Sequence, residues 1–129
     1  MTDYASRELC QELYEATGWG IGRTDRLWRV HKPSGLSKLV WTEEQKADDY
    51  RFRNSPEATR FRQENEFYPA YTIGYLLDKL SYVRLQSSQS GWDATFRGDD
   101  DNWISKHANT PANALAKLAI ELHKQGLLK

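Results

Sequence analysis

Apolar residues recur at helical spacing in three parts of the chain. The first part covers about residues 4 to 17 and precedes Gly18, a residue type that often closes a helix. The second part follows Thr72, which can cap a helix, and the third follows Thr110 and Pro111, which suit a cap and a first turn. The sequence therefore predicts three amphipathic helices. Their apolar stripes are Leu9, Cys10, Leu13 and Tyr14; Ile73, Leu76, Leu77 and Leu80; and Leu115, Leu118, Ala119 and Leu122.

Alternating apolar and polar residues predict two β-hairpins between these helices. The first hairpin joins residues 27–32 to residues 37–41, and the second joins residues 82–87 to residues 92–97. Each pair of strands is separated by a turn that contains glycine. A short edge strand could follow at residues 103–104.

The predicted fold is α+β: a single-domain layered alpha-beta sandwich over residues 1–129, with a mainly antiparallel sheet of four or five strands flanked by helices. The segment from about residue 42 to residue 66 is polar and interrupts this pattern. Thr42 with Gln45, and Ser55-Pro56, are typical of helix starts. Two short surface helices and a mobile insert both agree with this segment.

Charge and cysteine content exclude several classes of protein. The chain has 18 basic and 18 acidic residues, so no net charge attracts nucleic acid or an anionic membrane. Cys10 is the single cysteine and cannot form an intramolecular disulfide, which favours a reducing, cytoplasmic location. No apolar run approaches the roughly 18 residues of a membrane span. The sequence therefore predicts a cytoplasmic protein without membrane contact.

The residues with metal-binding or catalytic chemistry do not form a recognisable motif. His31, His107 and His123 are too far apart in sequence to suggest a zinc site. The acidic run at residues 99–101 lacks the alternating ligands of a calcium loop. Cys10 belongs to an apolar helix stripe, where a cysteine usually acts as a small hydrophobic residue. We therefore predict no catalytic residue, no metal and no cofactor.

Aromatic residues provide the preferred hypothesis for a binding surface. Tryptophan, tyrosine and arginine are enriched at the centres of protein interfaces. The aromatic residues around the polar segment would form such a surface if they were exposed together. The candidate partner-binding residues are Trp41, Tyr50, Phe67, Tyr68 and Tyr71.

Arginine and aromatic residues also alternate within the polar segment, at 51–53 and 60–62. This mixture is used to contact single-stranded nucleic acid. Residues 42–66 nevertheless contain seven acidic and five basic residues, so ion-paired helices are the favoured interpretation. The weaker nucleic-acid hypothesis rests on Arg51, Arg53, Arg60 and Arg62.

The order of these features resembles small tailed-phage and prophage proteins that contain a phage alpha-beta-alpha sandwich domain. The resemblance covers most of the chain and rests on Gly18-Trp19, the first hairpin, residues 72–80, residues 91–96 and residues 110–120. The polar segment from residue 42 to residue 66 departs from the family pattern. The resemblance implies a sandwich fold, a phage origin and a location in the host cytoplasm, and it provides no catalytic residues.

The preferred function is that of a non-enzymatic phage or prophage accessory protein that acts by protein–protein binding. Its partner would be a host or phage protein, or a second copy of the chain. One alternative is a nucleic-acid-binding module that uses the segment 51–62, although nucleic acid is the less favoured partner. Another alternative is a small enzyme whose site is assembled from polar residues without a recognisable motif.

Overall fold

The computed structural model of the chain describes residues 4–20, 24–43, 45, 55–98 and 103–127, without the side chain of residue 58. These residues form two compact units: Met1–Gly18 with Tyr71–Lys129, and Trp19–Ala70. The elements are α1 (Arg7–Thr17), β1 (Arg26–His31), β2 (Ser37–Trp41), α2 (Pro56–Glu64), β3 (Asn65–Pro69), α3 (Ile73–Lys79), β4 (Val83–Ser88), β5 (Gly91–Arg97), β6 (Trp103–Ala108) and α4 (Pro111–Lys124).

The first unit is built around α4. This helix contacts α1, α3 and all three strands of an antiparallel sheet with the order β4-β5-β6. Leu115, Leu118 and Leu122, which form the predicted apolar stripe, are buried. Burial of such a stripe is the main source of stability for a helix in a folded domain. The prediction of an amphipathic C-terminal helix with this apolar stripe is confirmed.

Side-chain caps begin the helices of this unit. The Thr110 hydroxyl accepts a hydrogen bond from the backbone N–H of Asn113, as predicted for a cap at this position. The Asn113 side chain in turn accepts a 2.6 Å hydrogen bond from the backbone N–H of Ser6, the residue that caps α1. These contacts hold the starts of α1 and α4 together.

Gly18 ends α1 in the way that the sequence predicts. Its φ angle is 69°, in the left-handed region that glycine adopts without a steric penalty. The Gly18 N–H donates a 2.7 Å hydrogen bond to the Tyr14 carbonyl and so satisfies one of the last carbonyl groups of the helix.

The second unit contains an antiparallel sheet with the order β2-β1-β3. The predicted hairpin is present as β1 and β2, and β3 pairs with the other edge of β1. The helix α2 starts at Pro56, where the sequence predicts a helix start, and contacts β3. The Thr42 hydroxyl donates a 2.6 Å hydrogen bond to the Thr24 carbonyl. Residues 46–54 of the predicted insert lie outside the described residues.

The α+β class is confirmed, but the strands differ from the prediction in number and arrangement. The described residues contain six strands in two sheets of three, instead of four or five strands in one sheet. The additional strand β3 falls in a segment whose composition predicts helix or loop. It forms because β1 offers it a complete ladder, with Arg29 opposite Phe67 and Leu27 opposite Pro69. Strand formation here depends on pairing more than on local preference. The single-domain organisation stays a prediction.

Candidate functional site

One face of the β4-β5-β6 sheet packs on α4, and the opposite face carries polar side chains and one tryptophan. Side chains alternate between the two faces along each strand. Ala94 and Ala108 point to the α4 side and are buried. The residues on the opposite side are exposed or half-buried. We call this surface the open face; it consists of Arg84, Gln86, Asp93, Thr95, Arg97, Trp103, Ser105 and His107.

A chain of three polar side chains lies at the hairpin end of the open face. His107 lies opposite Asp93 in the register, and its Nδ1 atom is 2.8 Å from an Asp93 carboxylate oxygen. The Nε2 atom of His107 is 3.3 Å from the Ser90 hydroxyl. Ser90 reaches this position because the β4–β5 turn passes close to the end of β6, where Gly91 has no side chain to obstruct it.

Two further cross-strand pairs of β5 and β6 lie on the open face: Thr95 with Ser105, and Arg97 with Trp103. The hydroxyls of Thr95 and Ser105 lie 3.1 Å apart across β5 and β6. The guanidinium carbon of Arg97 lies 5.6 Å from the centroid of the Trp103 ring, which is a cation–π contact. Trp103 keeps 54% of its surface exposed. A large aromatic side chain is therefore available on this face beside a cation.

The charges of the open face are only partly balanced. Asp93 is its one acidic side chain, and this carboxylate faces His107. Within the described part of the chain, Arg84 and Arg97 form no ion pair with a carboxylate. The open face therefore presents two guanidinium groups that can pair with acidic groups of another molecule.

The order Ser90, His107 and Asp93 matches that of a serine nucleophile, its base and an orienting acid. The surroundings of the three residues do not match such a site. The side chains of His107 and Asp93 are 43% and 40% exposed, and Ser90 lies on an exposed turn. Electrostatic catalysis depends on a site from which water is excluded. The arrangement suits hydrogen bonding with a bound partner better than it suits nucleophilic attack.

The predicted aromatic cluster is not present as one exposed surface. Trp41 is 47% exposed, and the Arg26 guanidinium carbon lies 3.5 Å from its ring centroid. Phe67 is half-buried, with its ring centroid 6.1 Å from that of Phe61. Tyr50 lies outside the described residues.

Two members of the predicted cluster are core residues, which corrects the expectation that they are exposed. Tyr68 is buried in β3, opposite Trp28 of β1, and its hydroxyl donates a hydrogen bond to the Glu66 carboxylate. Tyr71 is fully buried in the other unit, with its ring centroid 5.4 Å from that of Tyr75. Burial raises the pKa of the Tyr71 phenol far above its usual value. Both residues were candidates for the partner-binding surface because aromatic character alone does not separate core residues from interface residues.

The arginines of the nucleic-acid hypothesis are only partly described. Arg51 and Arg53 lie outside the described residues. The Arg60 side chain is 79% exposed, and its Nε atom donates a 2.9 Å hydrogen bond to Glu64 one helical turn later. Arg62 is exposed on the same helix and also has an interaction partner. The pairing of Arg60 with Glu64 agrees with the ion-paired interpretation of this segment.

The sequence pattern of β5 already indicated the open face, although the predicted partner-binding residues were those of the aromatic cluster. Asp93, Thr95 and Arg97 alternate with apolar residues in β5, as expected for a strand with one wet face. The role of Trp103 could not be read in the same way, because β6 was expected to cover two residues and extends over six, Trp103–Ala108.

No model of a protein family, no curated protein sequence and no solved structure matches this chain. The resemblance to phage alpha-beta-alpha sandwich proteins therefore stays a prediction.

Two further properties concern only the described residues. None of their helices has the length and apolar character needed to cross a lipid bilayer. No three of their histidine, cysteine, aspartate or glutamate side chains lie close enough together to hold a metal ion. The acidic run at residues 99–101 lies outside this part of the chain.

Proposed function

We propose that the chain is a non-enzymatic accessory protein of a phage or prophage and that it binds a host or phage protein through the open face. The observation that carries the proposal is the exposed Trp103 ring beside Arg97, on the face of the sheet opposite the one that packs on α4. Tryptophan and arginine are the residue types that most often dominate the energy of protein interfaces. The phage origin rests on the resemblance of the chain's pattern to the phage sandwich family.

The chemistry of the open face favours a different protein over a second copy as the partner. Arg84 and Arg97 require acidic groups opposite them, whereas Asp93 is the only acid that a second open face would supply. Gln86, Thr95 and Ser105 provide neutral hydrogen-bonding groups between these charges. The partner surface is therefore acidic, with an apolar pocket or aromatic side chain that receives Trp103.

Affinity capture from infected and uninfected host lysates, with and without nuclease, tests this proposal. The bait is used as wild type, as Trp103→Ala and as Trp41→Ala, which removes the similarly exposed tryptophan of the other unit. A captured protein is then purified and its Kd measured for each bait. We expect binding that resists nuclease and weakens at least about tenfold in Trp103→Ala, because removing a central interface residue costs about 2 kcal/mol or more.

The control variant makes the outcome specific to the open face. Equal binding by wild type and Trp103→Ala, or a loss confined to Trp41→Ala, would contradict a role for the open face. Capture that disappears with nuclease would favour the nucleic-acid alternative. Light scattering of the isolated protein separately tests homo-oligomer formation.

The enzyme alternative is a second candidate, favoured by the contacts among Ser90, His107 and Asp93. If His107 activates Ser90 as a base, a fluorophosphonate probe will modify Ser90 in the wild type and not in His107→Ala. The absence of labelling in the folded wild type would leave the binding function as the better proposal.

A further inference from the structure

A pocket in the second unit combines cationic groups with an aromatic surface. It has a volume of about 590 Å³ and is lined by residues of β1, β2, the turn between them, α2 and the first residue of β3. Small-molecule sites commonly have volumes of ~300–1,000 Å³. Phe61 and Leu36 supply apolar surface, and Arg29, His31 and Lys38 supply cationic or titratable groups. The pocket is an open depression on the surface, and its volume and mixed lining fit a small organic ligand that stays partly exposed to solvent.

Arg29 and Lys38 form an unfavourable pair within this pocket. They occupy directly opposite positions in β1 and β2. Like charges at such positions destabilise a sheet. Among the described residues, no carboxylate forms an ion pair with either side chain. Two adjacent positive charges without a carboxylate beside them are expected at a site where a ligand supplies the negative charge.

Glu64 also lines the pocket, but its carboxylate contacts Arg60 and His31. One Glu64 oxygen is 2.9 Å from the Arg60 Nε atom, and the other is 3.7 Å from the His31 Nε2 atom. The hydrogen bond from Arg60 is the main reason that the pKa of Glu64 is lowered, and the charge of His31 adds to the effect. Glu64 thus stays ionised but is directed towards these two partners, so no carboxylate of the described residues balances the charges of Arg29 and Lys38.

The cationic and aromatic parts of the pocket adjoin each other. The guanidinium carbon of Arg29 lies 5.5 Å from the ring centroid of Phe61. An arginine can contact two oxygens of a phosphate or carboxylate, and a neighbouring lysine adds a point charge. We propose that this pocket binds a small organic anion whose phosphate or carboxylate group contacts Arg29 and Lys38 and whose aromatic ring packs against Phe61. This site is separate from the open face and does not depend on the function proposed for it.

A series of four probes separates the two parts of the ligand. Phenyl phosphate carries a ring and a phosphate, benzoate carries a ring and a carboxylate, and inorganic phosphate and phenol each carry one part alone. NMR titration of the full chain measures each Kd and the residues affected. We expect phenyl phosphate or benzoate to bind with shifts at Arg29, Lys38 and Phe61, and both single-part probes to bind at least about tenfold more weakly. The better of the two-part probes identifies the anionic group.

Charge variants test the proposed contacts. We expect Arg29→Gln and Lys38→Gln each to weaken binding by about 10- to 100-fold, which is the factor for losing a hydrogen bond to a charged group. Lys32→Gln is the matched control, because Lys32 lies 3.7 Å from Glu66 and does not line the pocket. This control variant should bind the probe as the wild type does.

Lys38→Glu separates ligand binding from folding. The new carboxylate would face Arg29 and replace a repulsive pair by an attractive one, so we expect a higher melting temperature without ligand and no probe binding. Such a combination cannot arise from a folding defect. The proposal is overturned if no probe produces shifts at the pocket, if Lys32→Gln weakens binding as much as Arg29→Gln, or if Lys38→Glu still binds the probe.

Discussion

Gly91 lies so close to Ala108 that a methyl group on the Gly91 α-carbon would overlap the Ala108 carbonyl oxygen. The same methyl group would lie 3.2 Å from the α-carbon of Asn109, so backbone atoms would have to move. The φ angle of Gly91 is 146°, which residues with a β-carbon rarely adopt. The close approach joins the β4–β5 turn to the end of β6, and it places Ser90 beside His107.

We therefore expect Gly91→Ala to lower the free energy of unfolding by about 2 to 4 kcal/mol, from backbone strain together with overlap. Urea denaturation measures the change. Gly35→Ala is the control, since Gly35 also has a positive φ but open space around its α-carbon, and it should cost about 1 to 2 kcal/mol. Equal losses in the two variants would show that the contact with Ala108 has no energetic consequence.

Leu118→Ala tests the packing role of α4. Leu118 is fully buried, so its truncation removes apolar contacts and leaves a cavity, with an expected loss of about 2 to 5 kcal/mol. The melting temperature, checked against denaturant unfolding, reports this loss. Leu77→Ala removes a leucine that is 41% exposed and should cost far less. An unchanged melting temperature for Leu118→Ala would contradict its burial.

Because the Tyr71 phenol is buried, we expect the protein to lose stability at alkaline pH. Because burial raises its pKa in the folded state, the phenol stays protonated there, while it ionises above a pH of about 10 in the unfolded chain. The free energy of unfolding is therefore unaffected by ionisation of this phenol below a pH of about 10 and falls as the pH rises further, because unfolding then releases a proton. Tyr71→Phe should make the decline between pH 10 and 12 shallower, by less than about 1.4 kcal/mol per pH unit. Tyr82→Phe, which removes an exposed phenol, is the control. Equal pH slopes for Tyr71→Phe and the wild type would contradict this expectation.

Short RNA and DNA should not bind appreciably at near-physiological salt. Arg60 is paired with Glu64, and the chain has no net charge to attract a polyanion. Fluorescence anisotropy over a range of salt concentrations tests this prediction. A tight, strongly salt-dependent complex would reverse the ranking of protein over nucleic acid as the partner, provided that joint replacement of Arg51, Arg53, Arg60 and Arg62 weakens it.

The helix ends were predictable because their signals are local. Gly18, Thr72 and Thr110 each act on neighbouring backbone groups, and the structure places all three at helix boundaries. The strand β3 was not predictable in this way, because it depends on a ladder with β1, more than 30 residues away in sequence.

The candidate sites were harder to predict than the helices, because they too depend on contacts between strands that are distant in sequence. Trp103 and Arg97 become neighbours only through the pairing of β5 with β6, and Arg29 meets Lys38 only through the hairpin register. The polarity of each residue was visible in the sequence, but its cross-strand neighbour was not.

The route of the chain through the first unit also bears on how the protein could evolve. The Thr17 side chain lies near enough to the Tyr71 phenol to lower its pKa slightly, so residues 19–70 leave and re-enter that unit at neighbouring points. A segment with adjoining ends can be gained, shortened or exchanged in one genetic event without rerouting the rest of the chain. Homologous chains should therefore differ in length mainly between Gly18 and Tyr71, and the two sites proposed above could then be inherited separately.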